Sequence, residues 1–173
     1  MPASYRPHTR GDDANTATQS QTIDSNISVT DATVADVLKT KHNDVISITP
    51  DQTIAQAVAV LRDNRIGALV VTDHSGDLVG ILSERDIVRR MADTPGETLS
   101  QTVQDLMTHS PKTCTTEESL VQILRLMTDG RFRHMPVIAQ GKLTAIITIG
   151  DVVNYRLNQL EYEALKLKQL VVG

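Results

Sequence analysis

The chain is short of aromatic residues. Its 173 residues include no Trp, one Phe (Phe132) and three Tyr. Whatever interior it builds must come from Val, Ile, Leu, Met and Ala. It has a single cysteine, Cys114, which excludes an internal disulfide framework and any multi-cysteine zinc site, and fits a reducing compartment. Positive charge is not in excess. The formal net charge is −4, which argues against nucleic acid as the main partner, because phosphate-backbone binding needs a basic face. No run approaches the ~18 apolar residues of a membrane span. The N-terminal stretch has no apolar signal core, and its acidic residues do not suit a transit peptide. The expectation is a cytoplasmic protein with no membrane partner.

The residues that are present divide the chain. Residues 1–30 are dominated by Ser, Thr, Asn, Gln, Asp and Ala with no sustained apolar period, and read as a disordered tail. Arg6, His8 and Arg10 in it read as solvated. From Asp31 the pattern is regular. Thr33 caps a helix carrying Val34, Val37 and Leu38. Val45 to Thr49 alternates as a strand that Pro50 stops. Thr53 caps a helix with Ile54, Ala57, Val58 and Leu61 at helical spacing. A strand follows over 68–72, a turn over 74–77 and a returning strand over 78–82. Ser83 opens a helix with Ile87, Val88 and Met91, which the 94–97 segment breaks.

The pattern then recurs. Val103, Leu106 and Met107 repeat Val34, Val37 and Leu38, Leu120 to Met127 repeats Ile54 to Leu61, Gly141 matches Gly76 and Asp151 matches Asp86. The offset is 69 residues, then 66, then 65, and each change falls in a loop, as a duplication should show. Each half reads helix–strand–helix–strand–strand–helix. A half is too small to bury an adequate core alone, so the expected fold is α/β: two repeats, 31–95 and 100–155, packed sheet against sheet with pseudo-two-fold symmetry and helices outside. Beyond them, 156–173 continues as a long helix. From Asp151 onward Val152, Tyr155, Leu157, Leu160, Ala164, Leu167 and Leu170 or Val171 recur near helical or heptad spacing. That stripe either folds back on its own module or pairs with a second copy, and the reading favours pairing.

Two Ser/Thr-x-x-Asp segments follow apolar runs in this frame: Gly80-Ile-Leu-Ser83-Glu-Arg-Asp86 and Ala145-Ile-Ile-Thr148-Ile-Gly-Asp151. With Arg133-His134-Met-Pro-Val137, they resemble a tandem pair of CBS domains (cystathionine-beta-synthase-type domains, a Bateman module), over about residues 32–155. The closest likeness is to small stand-alone CBS-pair proteins with a long C-terminal helix. The resemblance implies a regulatory sensor that binds adenosine-type ligands (AMP, ADP, ATP, sometimes NAD(H) or S-adenosylmethionine). It also implies a homodimer and a regulated protein partner.

The chemistry of the residues supports such a ligand. A carboxylate accepts from both hydroxyls of a ribose, a helix N-terminus favours anions, and cations hold phosphate. The stronger site is expected at Thr148 and Asp151, with Arg133 and His134 as phosphate cations and, carried over from the family by position, Thr49, Pro50 and Ile54 against the adenine. The weaker site is expected at Ser83 and Asp86, with Arg85 as a substitute cation and Thr115, Thr116 and Leu120 opposite, because Gly67-Ala68 stands where the other half has Arg133-His134. The alternative for each acid is an ordinary helix cap, since Ser/Thr with an acid three residues on is related to the capping box. Cys114 reads as a buried structural thiol, and the five scattered His give no metal spacing. No catalytic triad, P-loop or glycine-rich dinucleotide fingerprint is present. The expectation is therefore a module with no catalytic cofactor and no reaction of its own. The rival readings are a ligand-free protein–protein adaptor and a nucleotide hydrolase.

Overall fold

The computed structural model describes residues 32–41 and 44–172. The tail expected over 1–30 lies outside the described residues, as does His42. The elements are α1 (Val34–Leu38), β1 (Ser47–Ile48), α2 (Ile54–Asn64), β2 (Ala68–Thr72), β3 (Leu78–Ser83), α3 (Glu84–Asp93), α4 (Val103–Leu106), β4 (Thr108–His109), α5 (Leu120–Gly130), β5 (His134–Ala139), β6 (Lys142–Thr148) and α6 (Ile149–Val172). The α/β fold expected from the duplicated pattern is present. One sheet has strand order β1-β2-β3-β4 and the other pairs β5 with β6. Where β1 pairs with β2 in parallel at Ile48 and Val71, the second repeat has only a single parallel bridge, Cys114 to Val137.

The repeat symmetry reaches the backbone. Both hairpins shift register at matching places, Val71/Thr72 and Val137/Ile138. Arg65 and Arg131 each end a helix in the left-handed region, at φ 53 and φ 54. The β5–β6 turn is the two-residue pair Gln140-Gly141, both with positive φ. That is the twist a tight hairpin needs, and Gly adopts it without a Cβ clash.

The sequence order does not reveal that the first helix of each repeat is exchanged. Val34 and Val37 of α1 are buried with Ile123, Met127, Met135 and Val137 in the core of the second repeat. Val103 and Met107, from the start of the second repeat, are buried with Ile54, Leu61, Leu69 and Leu82 in the core of the first. Backbone hydrogen bonds pin both exchanges: Val34 N–H donates to Glu118 at 3.0 Å and Ala35 N–H to Thr116 at 2.9 Å, while Val103 N–H donates to Gln52 at 2.8 Å and Gln104 N–H to Pro50 at 3.0 Å. The exchange carries β4 onto the edge of β3. There Gly80 permits a close approach, since a Cβ at that position would stand 2.5 Å from the Met107 sulfur. Among the described residues, no helix is long and apolar enough to cross a membrane.

Candidate functional site

Both Ser/Thr-x-x-Asp segments sit where a strand turns into a helix. Ser83 is the N-cap of α3: its N–H and hydroxyl donate to Asp86 Oδ2 at 3.1 and 2.5 Å, and its Oγ accepts from Asp86 N–H at 3.4 Å. Thr148 does the same before α6, donating to Asp151 Oδ2 from N–H and hydroxyl at 2.8 Å each. The capping alternative is therefore realised at both positions. It still leaves each carboxylate with a second oxygen, at a helix N-terminus where negative charge is favoured. Each helix start is also tied to the strand beside it, by Glu84 N–H to the Gly67 carbonyl at 3.0 Å and by Ile149 N–H to the Arg133 carbonyl at 3.1 Å.

The two carboxylates differ in their surroundings. Lys41 Nζ donates to Asp151 Oδ2 at 2.5 Å and to the Ile146 carbonyl at 2.9 Å, with both ion-pair partners about three-quarters buried. Burial pushes the Asp151 carboxyl up, but the Lys41 ammonium and the Thr148 donors outweigh it and hold it below the usual carboxylate range. Among the described residues no ion pair forms at Asp86. Sequence reasoning missed Lys41. The signal was weak, one of two lysines (Lys39, Lys41) just after a short helix, and only the exchange of α1 brings it to Asp151.

Two clefts flank these caps. The larger, about 400 Å³, is lined by Ser83, Arg85, Asp86 and Arg89 from the first repeat, and by Ser110 to Lys112 and Gly130 to His134 from the second. The smaller, about 330 Å³, is lined by Lys41, Asp44 to Ile46, Arg65 to Ala68, His134, Ile146 and Thr148. Arg133 therefore faces Ser83 and Asp86, not the Thr148 cleft where it was expected. Among the described residues, only His134 borders both. Its imidazole stands against Gly67, where a Cβ would lie 3.4 Å from the ring, so the small residue in one repeat makes room for the large one in the other. Burial, then the charges of Arg133 and Lys41, push the His134 pKa down; Asp151 opposes this and Arg85 adds to it. The cleft walls therefore favour the uncharged form of the His134 ring. Arg85, expected as a substitute cation, lines the larger cleft and donates from Nη1 to the Arg131 carbonyl at 2.9 Å.

The residues expected against the adenine do not line either cleft. Ile54 and Leu120 are buried in the two cores, and their N–H groups donate to Gln101 and Ala32, both at 2.9 Å. Pro50 and Thr116 offer their carbonyls to the exchanged helices. Thr49 N–H is held by Gln52 at 3.1 Å, and Thr115 N–H by Glu118 at 2.9 Å. The segments that face the caps lie a few residues earlier, at 44–46 and 110–112.

Cys114 is buried, and burial first, then the Glu118 charge, pushes its thiol up to about 12. A thiol so far from ionisation is inert packing. Among the described residues, no group of three or more His, Cys, Asp or Glu is placed to hold a metal ion.

Comparison with known proteins gives a consistent result. The CBS domain family model matches residues 34–93 and 103–158. The chain is 33% identical over 149 residues to the mitochondrial CBS domain-containing protein CBSX3 of Arabidopsis thaliana, covering 82% of this chain and 72% of that one. Its fold is similar to the CBS-domain containing protein ATU1752 from Agrobacterium tumefaciens, with a TM-score of 0.71 and 42% identity over 72% of this chain and 99% of that one. It is also similar to CBSX2 of Arabidopsis thaliana solved in complex with AMP, with a TM-score of 0.61 and 26% identity over 73% of this chain and 97% of that one.

Proposed function

The chain belongs to the CBS-domain family, and from that premise we propose that it is a non-catalytic regulatory module whose inter-repeat clefts take adenosine-type nucleotides. The observation that carries this is the larger cleft. Arg85, Arg89, Lys112, Arg131 and Arg133 line it against one acid, Asp86, an excess of four positive charges in a space the size of a small-ligand site. The Asp86 carboxylate, at the N-terminus of α3, is the acceptor for the ribose hydroxyls, and the arginines are the donors for phosphate. The AMP complex of CBSX2 supports the ligand class.

The ranking of the two clefts is the reverse of the one expected from sequence. The Ser83/Asp86 cleft takes the phosphorylated ligand more tightly because Arg133 and Lys112 border it and, among the described residues, its acid forms no ion pair. The Thr148 cleft is weaker because Asp151 is not among the residues that line it and Lys41 holds the Asp151 carboxylate. Among AMP, ADP, ATP and NAD(H), the charge excess favours the ligands with more phosphates. Binding changes the angle between the repeats, and a partner protein reads that change.

Calorimetric titration of the whole chain with AMP, ADP, ATP and NADH tests the proposal. Tighter binding with added phosphates, weakened at least about tenfold by Arg133→Ala, is the expected result. No binding by any of the four, with no rise in melting temperature, would leave the adaptor reading in possession. ATP turnover with Mg²⁺ that Asp86→Asn abolishes would replace the regulatory reading with an enzymatic one.

A further inference from the structure

Helices α2 and α5 end in the same unusual way. Arg65 closes α2 and Arg131 closes α5, at φ 53 and φ 54. The turn is shared by both repeats: Ile66 N–H donates to the Leu61 carbonyl at 3.1 Å, and Phe132 N–H to the Met127 carbonyl at 3.1 Å. Such a helix end needs a left-handed residue, and glycine takes that conformation without the clash that a Cβ brings. Arginine therefore costs stability at both positions. Among the described residues, four that are not glycine have positive φ: Arg65, Ser110, Arg131 and Gln140. Gln140 belongs to the β5–β6 turn. The other three line the clefts, Arg65 the smaller, Ser110 and Arg131 the larger. Backbone strain that gathers at a cleft points to a use for the side chain that bears it. Both arginines are exposed, and among the described residues neither forms an ion pair.

We infer that Arg65 and Arg131 are ligand-binding residues, one in each cleft, kept in place at a cost in stability, and that Arg65 makes the smaller cleft a site for a phosphate monoester. The inference rests on the nucleotide reading above. In the first repeat Arg133 has no counterpart, because Gly67 stands at its position. Apart from the His134 ring, the ionisable residues lining the smaller cleft are Lys41, Asp44 and Arg65. Lys41 is already paired with Asp151, so Arg65 is the cation left to meet a ligand. One guanidinium beside one acid, Asp44, suits a single phosphate group, since each further phosphate adds repulsion from Asp44 without a new donor. The larger cleft, with five cations, accommodates more negative charge. At Arg131 the backbone and the side chain have separate tasks. Its carbonyl accepts from Arg85 Nη1 at 2.9 Å across the repeats, a contact that any residue there would offer. Only the guanidinium in the cleft requires arginine.

The test uses the full chain and two readouts, calorimetric titration and thermal melting without ligand. Glycine at either position relieves the backbone and removes the guanidinium. Asparagine, which also tolerates the left-handed region, removes the charge without adding glycine's chain flexibility. Arg131→Gly and Arg131→Asn are expected to weaken ATP binding at least about tenfold. Arg65→Gly and Arg65→Asn are expected to weaken a second, AMP-binding equivalent to the same degree, and to change ATP affinity by less than about threefold. None of these variants is expected to melt lower than the native chain, and the glycine variants should melt about 2 °C higher. Weaker binding with a raised melting temperature marks a strained ligand-binding residue; a structural residue gives the opposite pairing. Variants that bind like the native chain overturn the inference and leave the nucleotide reading standing. Variants that lose binding and melt lower show a structural role and overturn it as well. A native chain that binds neither AMP nor ATP overturns both.

Discussion

Replacing each cap carboxylate by its amide should separate two effects that the sequence makes look alike. Asp86→Asn keeps an oxygen to accept from Ser83 and so preserves most of the cap, but it removes the charge. Among the described residues, Asp86 Oδ1 is committed to nothing, and Oδ2 only to Ser83. Its proposed role is one charge-assisted contact to the ribose, worth ~1.5–3 kcal/mol, or about 10- to 150-fold in affinity. Asp151→Asn is predicted to behave in the opposite way. Its charge is already compensated by Lys41 at Oδ2, which also accepts twice from Thr148, so a ribose at the second oxygen gains little and affinity should change by less than about threefold. Stability should change instead. Lys41 would be left three-quarters buried without its counter-charge, a loss between the values for surface and buried pairs, about 1–2 kcal/mol. Calorimetric titration with ATP gives the first quantity and chemical denaturation the second. If Asp151→Asn costs more affinity than Asp86→Asn, the assignment of the tighter cleft is refuted.

Three further outcomes follow from the same geometry. Because His134 has a folded pKa below its ordinary 6.5, the unfolded chain takes up its proton first; stability is full above that value and is lost as pH falls through 6.5 toward the lower folded value. Thermal melts from pH 8 to 5 should show a loss that His134→Gln reduces. Val34→Ala should cost about 2 kcal/mol from lost methyl burial and the cavity left behind. Hydrogen exchange should then accelerate first at Met135 to Val137, in the second repeat, and not at Leu69 to Val71. Gly80→Ala forces its new Cβ against the Met107 sulfur and the Thr108 carbonyl, 3.2 Å away. It should cost about 1–3 kcal/mol and weaken nucleotide binding by moving Thr108 and the 110–112 wall; unchanged titration curves would show that this wall does not contribute.

The amino-acid order by itself determined the duplication, the helices, the two hairpins, the caps at Ser83 and Thr148, and the Gln140-Gly141 turn, but not β4 or the reduction of the Cys114 strand to a single bridge. These are local: a capping side chain reaches only three residues, and a turn is decided by the φ its own residues tolerate. The sequence could not decide which core each leading helix joins. The stripes Val34/Val37 and Val103/Met107 are equivalent by repeat and fit either core, so only closure of the two halves selects the exchange. That choice moved the cleft walls to 44–46 and 110–112, used Pro50, Ile54, Thr116 and Leu120 in packing and pinning, and carried Lys41 to Asp151. Arg133 was misplaced for a related reason. Its carbonyl accepts from Ile149, beside Thr148, while its side chain enters the other cleft. Which side a residue leading into a strand presents depends on the neighbouring half, and the chain brings that neighbour only through tertiary packing.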